Sequence, residues 1–124
     1  MSLIKTFTAG NITVNAAMPN PFEQRELLSL VSAHFIAHVA NVYKNGGELS
    51  VKDVTLLFTA TPYHIMQRID EVLLSKAMVA GTNTKVTVND FSGKMMTLNT
   101  LLAELFLWVY ADFFDYVQNA NKDE

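Results

Sequence analysis

The sequence predicts a mainly α fold in which an N-terminal β-hairpin precedes a compact bundle of about four helices. Three observations carry this expectation. Residues 3–18 alternate loosely about Gly10-Asn11, with Ile4, Thr6, Thr8, Ile12 and Val14 as the extended-structure formers. Proline and glycine then punctuate the chain at Pro19, Pro21, Gly46-Gly47, Pro62 and Gly81. Finally, Phe91 to Val117 is long, apolar and helical in period. A chain of 124 residues suits a single domain. It divides into a hairpin (1–18), a helical bundle (21–119) and a short polar tail (120–124) expected to fray.

A two-stranded hairpin is marginal by itself, so 1–18 is expected to pack on helices or extend a sheet. In the first helix Asn20 is a natural N-cap, Pro21 fits the first helical position and Glu23 puts a carboxylate in the first turn. This helix should run to about Asn45, stopped by Gly46-Gly47, with Leu28, Val31, Phe35, Val39 and Val42 as its buried stripe. Ser50 and Asp53 form a near capping box for a second, short helix whose inner face is Val51, Val54, Leu57 and Phe58. Thr61-Pro62, an N-cap followed by proline in the first turn, restarts the chain as a third helix, ending near Gly81, with Met66, Ile69, Leu73 and Ala77 inward. Arg68 and Glu71 make an i,i+3 pair on its polar side. Residues 82–89 read equally as an edge strand or a loop.

Asn89 or Asp90 is placed to cap the last helix, running to about Asn119, and Gly93 marks a bend or a late start. Its core stripe is Leu98, Leu102, Phe106, Val109 and Phe113. Six aromatics lie between Phe106 and Tyr116. Leu107, Tyr110 and Phe114 widen the apolar face beyond an ordinary stripe, so this flank, with Trp108 and Tyr116, is the expected partner-binding surface. Trp108 falls opposite the stripe, in line with Glu104, Asp112 and Asp115. There it is either an outward interface anchor or a side chain covered by the hairpin or a loop.

Composition narrows the function classes. Half the residues are hydrophobic and 17% are charged, a balance that leans towards self-association or a standing partner. A net charge of −3 gives no electrostatic basis for binding nucleic acid. The absence of cysteine removes disulfides, thiolate metal sites and thiol nucleophiles. The start MSLIKTFTAG lacks the pattern of a secretory signal, and Glu104, Asp112 and Asp115 interrupt the last helix before it reaches a membrane span. A cytoplasmic protein is expected. Its glycines form no phosphate loop or dinucleotide fingerprint, and no nucleophile elbow is present, so an enzyme is not expected and no cofactor is implied.

His34 and His38, one turn apart, with His64 on another helix, are weak metal-ligand candidates. The ordinary reading is of histidines at the edge of the core.

The segment Thr6–Leu28 (TFTAGNITVNAAMPNPFEQRELL) carries a small β unit through a proline-containing joint into a helix. The later stretches Val88-Asn89-Asp90-Phe91, Gly93-Lys94, Leu101-Leu102-Ala103-Glu104-Leu105 and Ala111-Asp112-Phe113-Phe114 follow as a polar turn, a small residue, a leucine-rich run and an aromatic–acidic terminus. This arrangement resembles the tail assembly chaperones of long-tailed bacteriophages. The resemblance implies a non-catalytic protein that binds the helical tape measure protein, keeps it soluble and helps recruit tail tube subunits. It also implies a homo-oligomer or client-bound chain in the host cytoplasm. A small phage-encoded inhibitor of a host protein fits the acidic balance as an alternative, and a His-site metalloprotein is a second.

Overall fold

The computed structural model describes residues 3–45, 47 and 49–122; of the helical residues 32–37, 39–40, 43–44, 117–118 and 120–122 it describes the backbone only. Strands β1 (Ile4–Ala9) and β2 (Ile12–Ala17) form the expected hairpin, in register from Ile4 opposite Ala17 to Ala9 opposite Ile12. Gly10 turns the corner at φ +62°, a conformation that costs glycine little. Helices α1 (Pro21–Lys44), α2 (Val51–Thr59), α3 (Tyr63–Leu74), α4 (Met95–Val109) and α5 (Ala111–Lys122) follow. The fold is mainly α with a small sheet.

The local signals act as their chemistry requires. At the start of α1 the Glu23 N–H donates to Asn20 Oδ1 at 2.9 Å, and the Asn20 N–H donates to Glu23 Oε1 at 3.1 Å. The two residues thus satisfy each other's orphan donors, and the Asn20 N–H followed by the Lys76 ammonium holds the Glu23 carboxyl below its usual range. Ser50 and Asp53 make the same reciprocal box on α2. Beyond Lys44, the Gly47 N–H donates to Val42 O at 3.0 Å.

Four expectations need correcting. The third helix does not reach Gly81. It stops at Leu74, and Ala77–Val79 forms strand β3, antiparallel to β2 with Val14 opposite Val79. The edge of β2 offers Ala77–Val79 paired main-chain hydrogen bonds, and Ala77 is fully buried there. Thr61 does not cap α3; its hydroxyl donates back to Leu57 O at 2.8 Å, closing α2 instead. Residues 82–89 are mainly loop, bridged to β3 at Lys85 and ending in a 3₁₀ turn (Val88–Phe91) boxed by Thr87 and Asp90. Asp90 therefore caps that turn and not the last helix, which begins at Met95 after Gly93 takes φ +76°.

The fourth correction concerns the last helix itself, which is two helices. Tyr110 leaves helical geometry (φ −105°, ψ 20°), ending α4, while its carbonyl accepts the Phe114 N–H at 3.0 Å to open α5. α5 then continues to Lys122, past the expected end at Asn119. The break is fixed from the side. The Tyr110 ring lies 4.6 Å from Phe106, and its hydroxyl donates to the Gln24 carbonyl of α1. Phe114 returns to the same cluster, 6.4 Å from Phe106.

The core lies between the inner face of the sheet (Phe7, Val14, Ala16) and helices α1–α4, with Phe106 at its centre. α2 packs on α4 through an edge-to-face pair, Phe58 and Phe106, with centroids 5.5 Å apart. At the far end of that contact Asn99, buried, donates to the Thr59 hydroxyl at 3.2 Å. Arg68 forks onto Glu26 with two 2.7 Å contacts and reaches Glu71 at 2.8 Å, joining α3 to α1. On α1 the buried face turns on Leu27, absent from the expected stripe. Leu28, Val31 and Val42 are half-buried, and the Phe35 and Val39 side chains fall outside the described set.

Candidate functional site

The residues expected to face a partner separate into three groups. Tyr110 and Phe114 are buried, 3% and 6% exposed, within their own chain. This corrects the expectation of an uncovered flank: both rings pack on Phe106, Tyr110 from one turn further along α4 and Phe114 from beyond the break. Burial raises the Tyr110 phenol above its ordinary range. Leu107 and Trp108 are half-buried, packed against the core. Trp108 is not a free outward anchor: it meets Phe7 of the hairpin edge-to-face at 5.7 Å. Tyr116 alone of the five stands open, at 74% exposure.

Beside Trp108 the surface opens into a cavity of about 610 Å³ bordered by Lys5, Phe7, Val51, Glu104, Leu107 and Trp108. Burial raises the Glu104 carboxyl, and the charge of Lys5 acts against that rise. The Lys5 ammonium sits 5.5 Å from the Phe7 ring centroid.

A second cavity, about 410 Å³, lies in the angle between α1 and the α2–α3 elbow. Leu30, Val31, Leu57, Ala60, Pro62 and Ile65 line it with Thr61, so its walls are mostly apolar. In the sequence Val31 and Leu57 read as core positions and Pro62 as a helix start, and none of the seven as a site. The available signal was the apolar pair Leu57 and Ile65 on either side of Thr61-Pro62, where a proline elbow opens two helix faces to one neighbour. A third hollow, about 350 Å³, lies between α3 and residues 86–88. Asp70 borders it, with Oδ1 buried and, among the described residues, without a hydrogen-bond partner. Burial, then the neighbouring Glu71 charge, pushes Asp70 up to about 6.

His38 and His64 are exposed, and the His34 side chain lies outside the described residues. Among the described residues no group of three or more His, Asp or Glu side chains is placed to hold a metal ion. No described helix is long and apolar enough to cross a membrane. Comparison of the chain with protein-family models, curated proteins and solved structures yields no match.

Proposed function

We propose that this chain is a tail assembly chaperone of a long-tailed bacteriophage. It acts without catalysis or cofactor in the host cytoplasm, in several copies along one client. It holds the helical tape measure protein in solution and helps bring tail tube subunits to it. The observation that carries this reading is the apolar angle between α1 and the α2–α3 elbow. Its lining, apolar but for Thr61, offers an amphipathic helix a groove with little polar surface to desolvate. The order of a small β unit, a proline joint and an apolar helical body, which the resemblance implies, supports the same reading. Repetition of one modest contact along a long helical client supplies avidity.

Co-expression with tape measure proteins of long-tailed phages tests it. The expected result is a soluble complex that co-purifies with this chain and is lost on Ile65→Asp, while Tyr116→Ala retains it. A tape measure protein that stays insoluble and unbound beside a well-folded chain overturns the reading. A complex indifferent to Ile65→Asp removes the groove from it.

A further inference from the structure

The hollow beside Trp108 carries an inference that does not depend on the client. It lies along the seam where β1 packs on α4 and, at about 610 Å³, is the widest of the three hollows described above. That volume falls in the range of small-molecule sites, which combine mostly apolar walls with a few placed polar groups. Here Phe7, Val51, Leu107 and Trp108 supply the apolar wall. Phe7 and Trp108 meet edge-to-face at 65°, so their rings make a corner and not one flat surface. The charged groups are the Lys5 ammonium and the Glu104 carboxylate. Glu104 stands one turn before Trp108 on the same face of α4.

These two charges act on each other without pairing. The Lys5 charge opposes the rise that burial imposes on the Glu104 carboxyl. Yet among the described residues neither side chain makes an ion pair or a hydrogen bond. A ligand that is only an anion would oppose Glu104, and one that is only a cation would oppose Lys5. A molecule carrying both charges close together answers both.

We propose that this hollow binds a free α-amino acid with an apolar side chain, its ammonium on Glu104, its carboxylate on Lys5 and its side chain against Phe7 and Trp108. The ammonium restores to the half-buried carboxylate the stabilisation that desolvation removes. The two charge-assisted contacts fix the orientation, and burial of the side chain supplies the remaining affinity.

Trp108 is the only tryptophan of the chain, so its emission reports on the wall directly. Titration of the whole chain with L-phenylalanine, excited where the ligand does not absorb, should give a saturable change with a midpoint in the low millimolar range or below. 3-Phenylpropanoate lacks the ammonium, 2-phenylethylamine the carboxylate and glycine the side chain. Each should bind roughly tenfold more weakly or worse. Glu104→Gln should lower phenylalanine to the affinity of 3-phenylpropanoate while leaving 3-phenylpropanoate no weaker. Lys5→Met, which keeps an apolar stem beside Phe7, should lower it to that of 2-phenylethylamine while leaving the amine no weaker. A merely structural role for either side chain would weaken all the ligands together.

An emission that does not change up to tens of millimolar phenylalanine overturns the proposal. So does any of the three stripped ligands binding as tightly as phenylalanine, which assigns the hollow to a simpler chemistry. Binding indifferent to both substitutions overturns it too, by placing the ligand elsewhere on the chain. If a variant fails to fold, the ligand series on the unaltered chain decides.

Discussion

Removing the Tyr110 hydroxyl tests whether the break between α4 and α5 is held from α1. In Tyr110→Phe the ring still fills its place beside Phe106, so the lost contribution is one buried hydrogen bond to the Gln24 carbonyl. That carbonyl keeps its place inside α1, so no acceptor is stranded. The expected cost is then about 1 kcal/mol, the usual net worth of such a bond. For a chain of this size it corresponds to a fall in Tm of roughly 4 °C.

Urea unfolding followed by far-UV circular dichroism measures it, with the slope against denaturant unchanged. The pH dependence sharpens the test. Burial raises the folded Tyr110 pKa above the unfolded value, so its contribution is intact below about pH 10. It is lost as pH rises further, because the unfolded chain then releases a proton that the folded one retains. Phenylalanine has no such proton, so the advantage of the wild type should shrink above about pH 10. A Tyr110→Phe protein as stable as wild type refutes the tie, as does a gap that stays constant up to pH 11. A loss above about 3 kcal/mol would mean that the hydroxyl fixes more than one bond.

Phe106→Ala, which empties the centre of the aromatic cluster formed with Phe58, Tyr110 and Phe114, should cost about 3–5 kcal/mol by the same urea assay. Asn20→Ala removes one half of the capping box on α1 and should cost about 1 kcal/mol, with Asn20→Asp nearly neutral. Asp70→Asn should stabilise the protein at pH 8 and have little effect at pH 4. The raised folded pKa favours the protonated acid, so the stability it lends below about pH 4 is lost as pH rises through about 6. Water still reaches part of this carboxylate, which limits the gain to about 1 kcal/mol, read as a shift in Tm at the two pH values.

Local chemistry made much of the fold legible in the sequence. The hairpin followed from alternation about a turn that glycine adopts easily, and the α1 and α2 starts from side chains able to satisfy nearby N–H groups. The inward residues Val54, Phe58, Ile69, Leu98, Leu102 and Phe106 followed from helical period, because burial of one face is set by spacing along a single element. The misreadings fall where a residue's state depends on something distant in the chain. Ala77–Val79 continues the apolar pattern of α3, yet is a strand because the edge of β2 lies beside it. Thr61-Pro62 reads as a cap, yet the hydroxyl finds an acceptor one turn back.

The sequence by itself determined that the last third of the chain is helical, rich in aromatics and too apolar to stand alone. Tertiary structure decided which of those aromatics are core. A continuous helix leaves Tyr110 and Phe114 on a flank. A carbonyl of α1, 86 residues earlier, takes the Tyr110 hydroxyl, and Phe114, beyond the break, packs with it on Phe106. The hairpin in turn covers Trp108 with Phe7. Periodicity describes one helix at a time, whereas the polar partner that bends it and the strand that covers it belong to other elements.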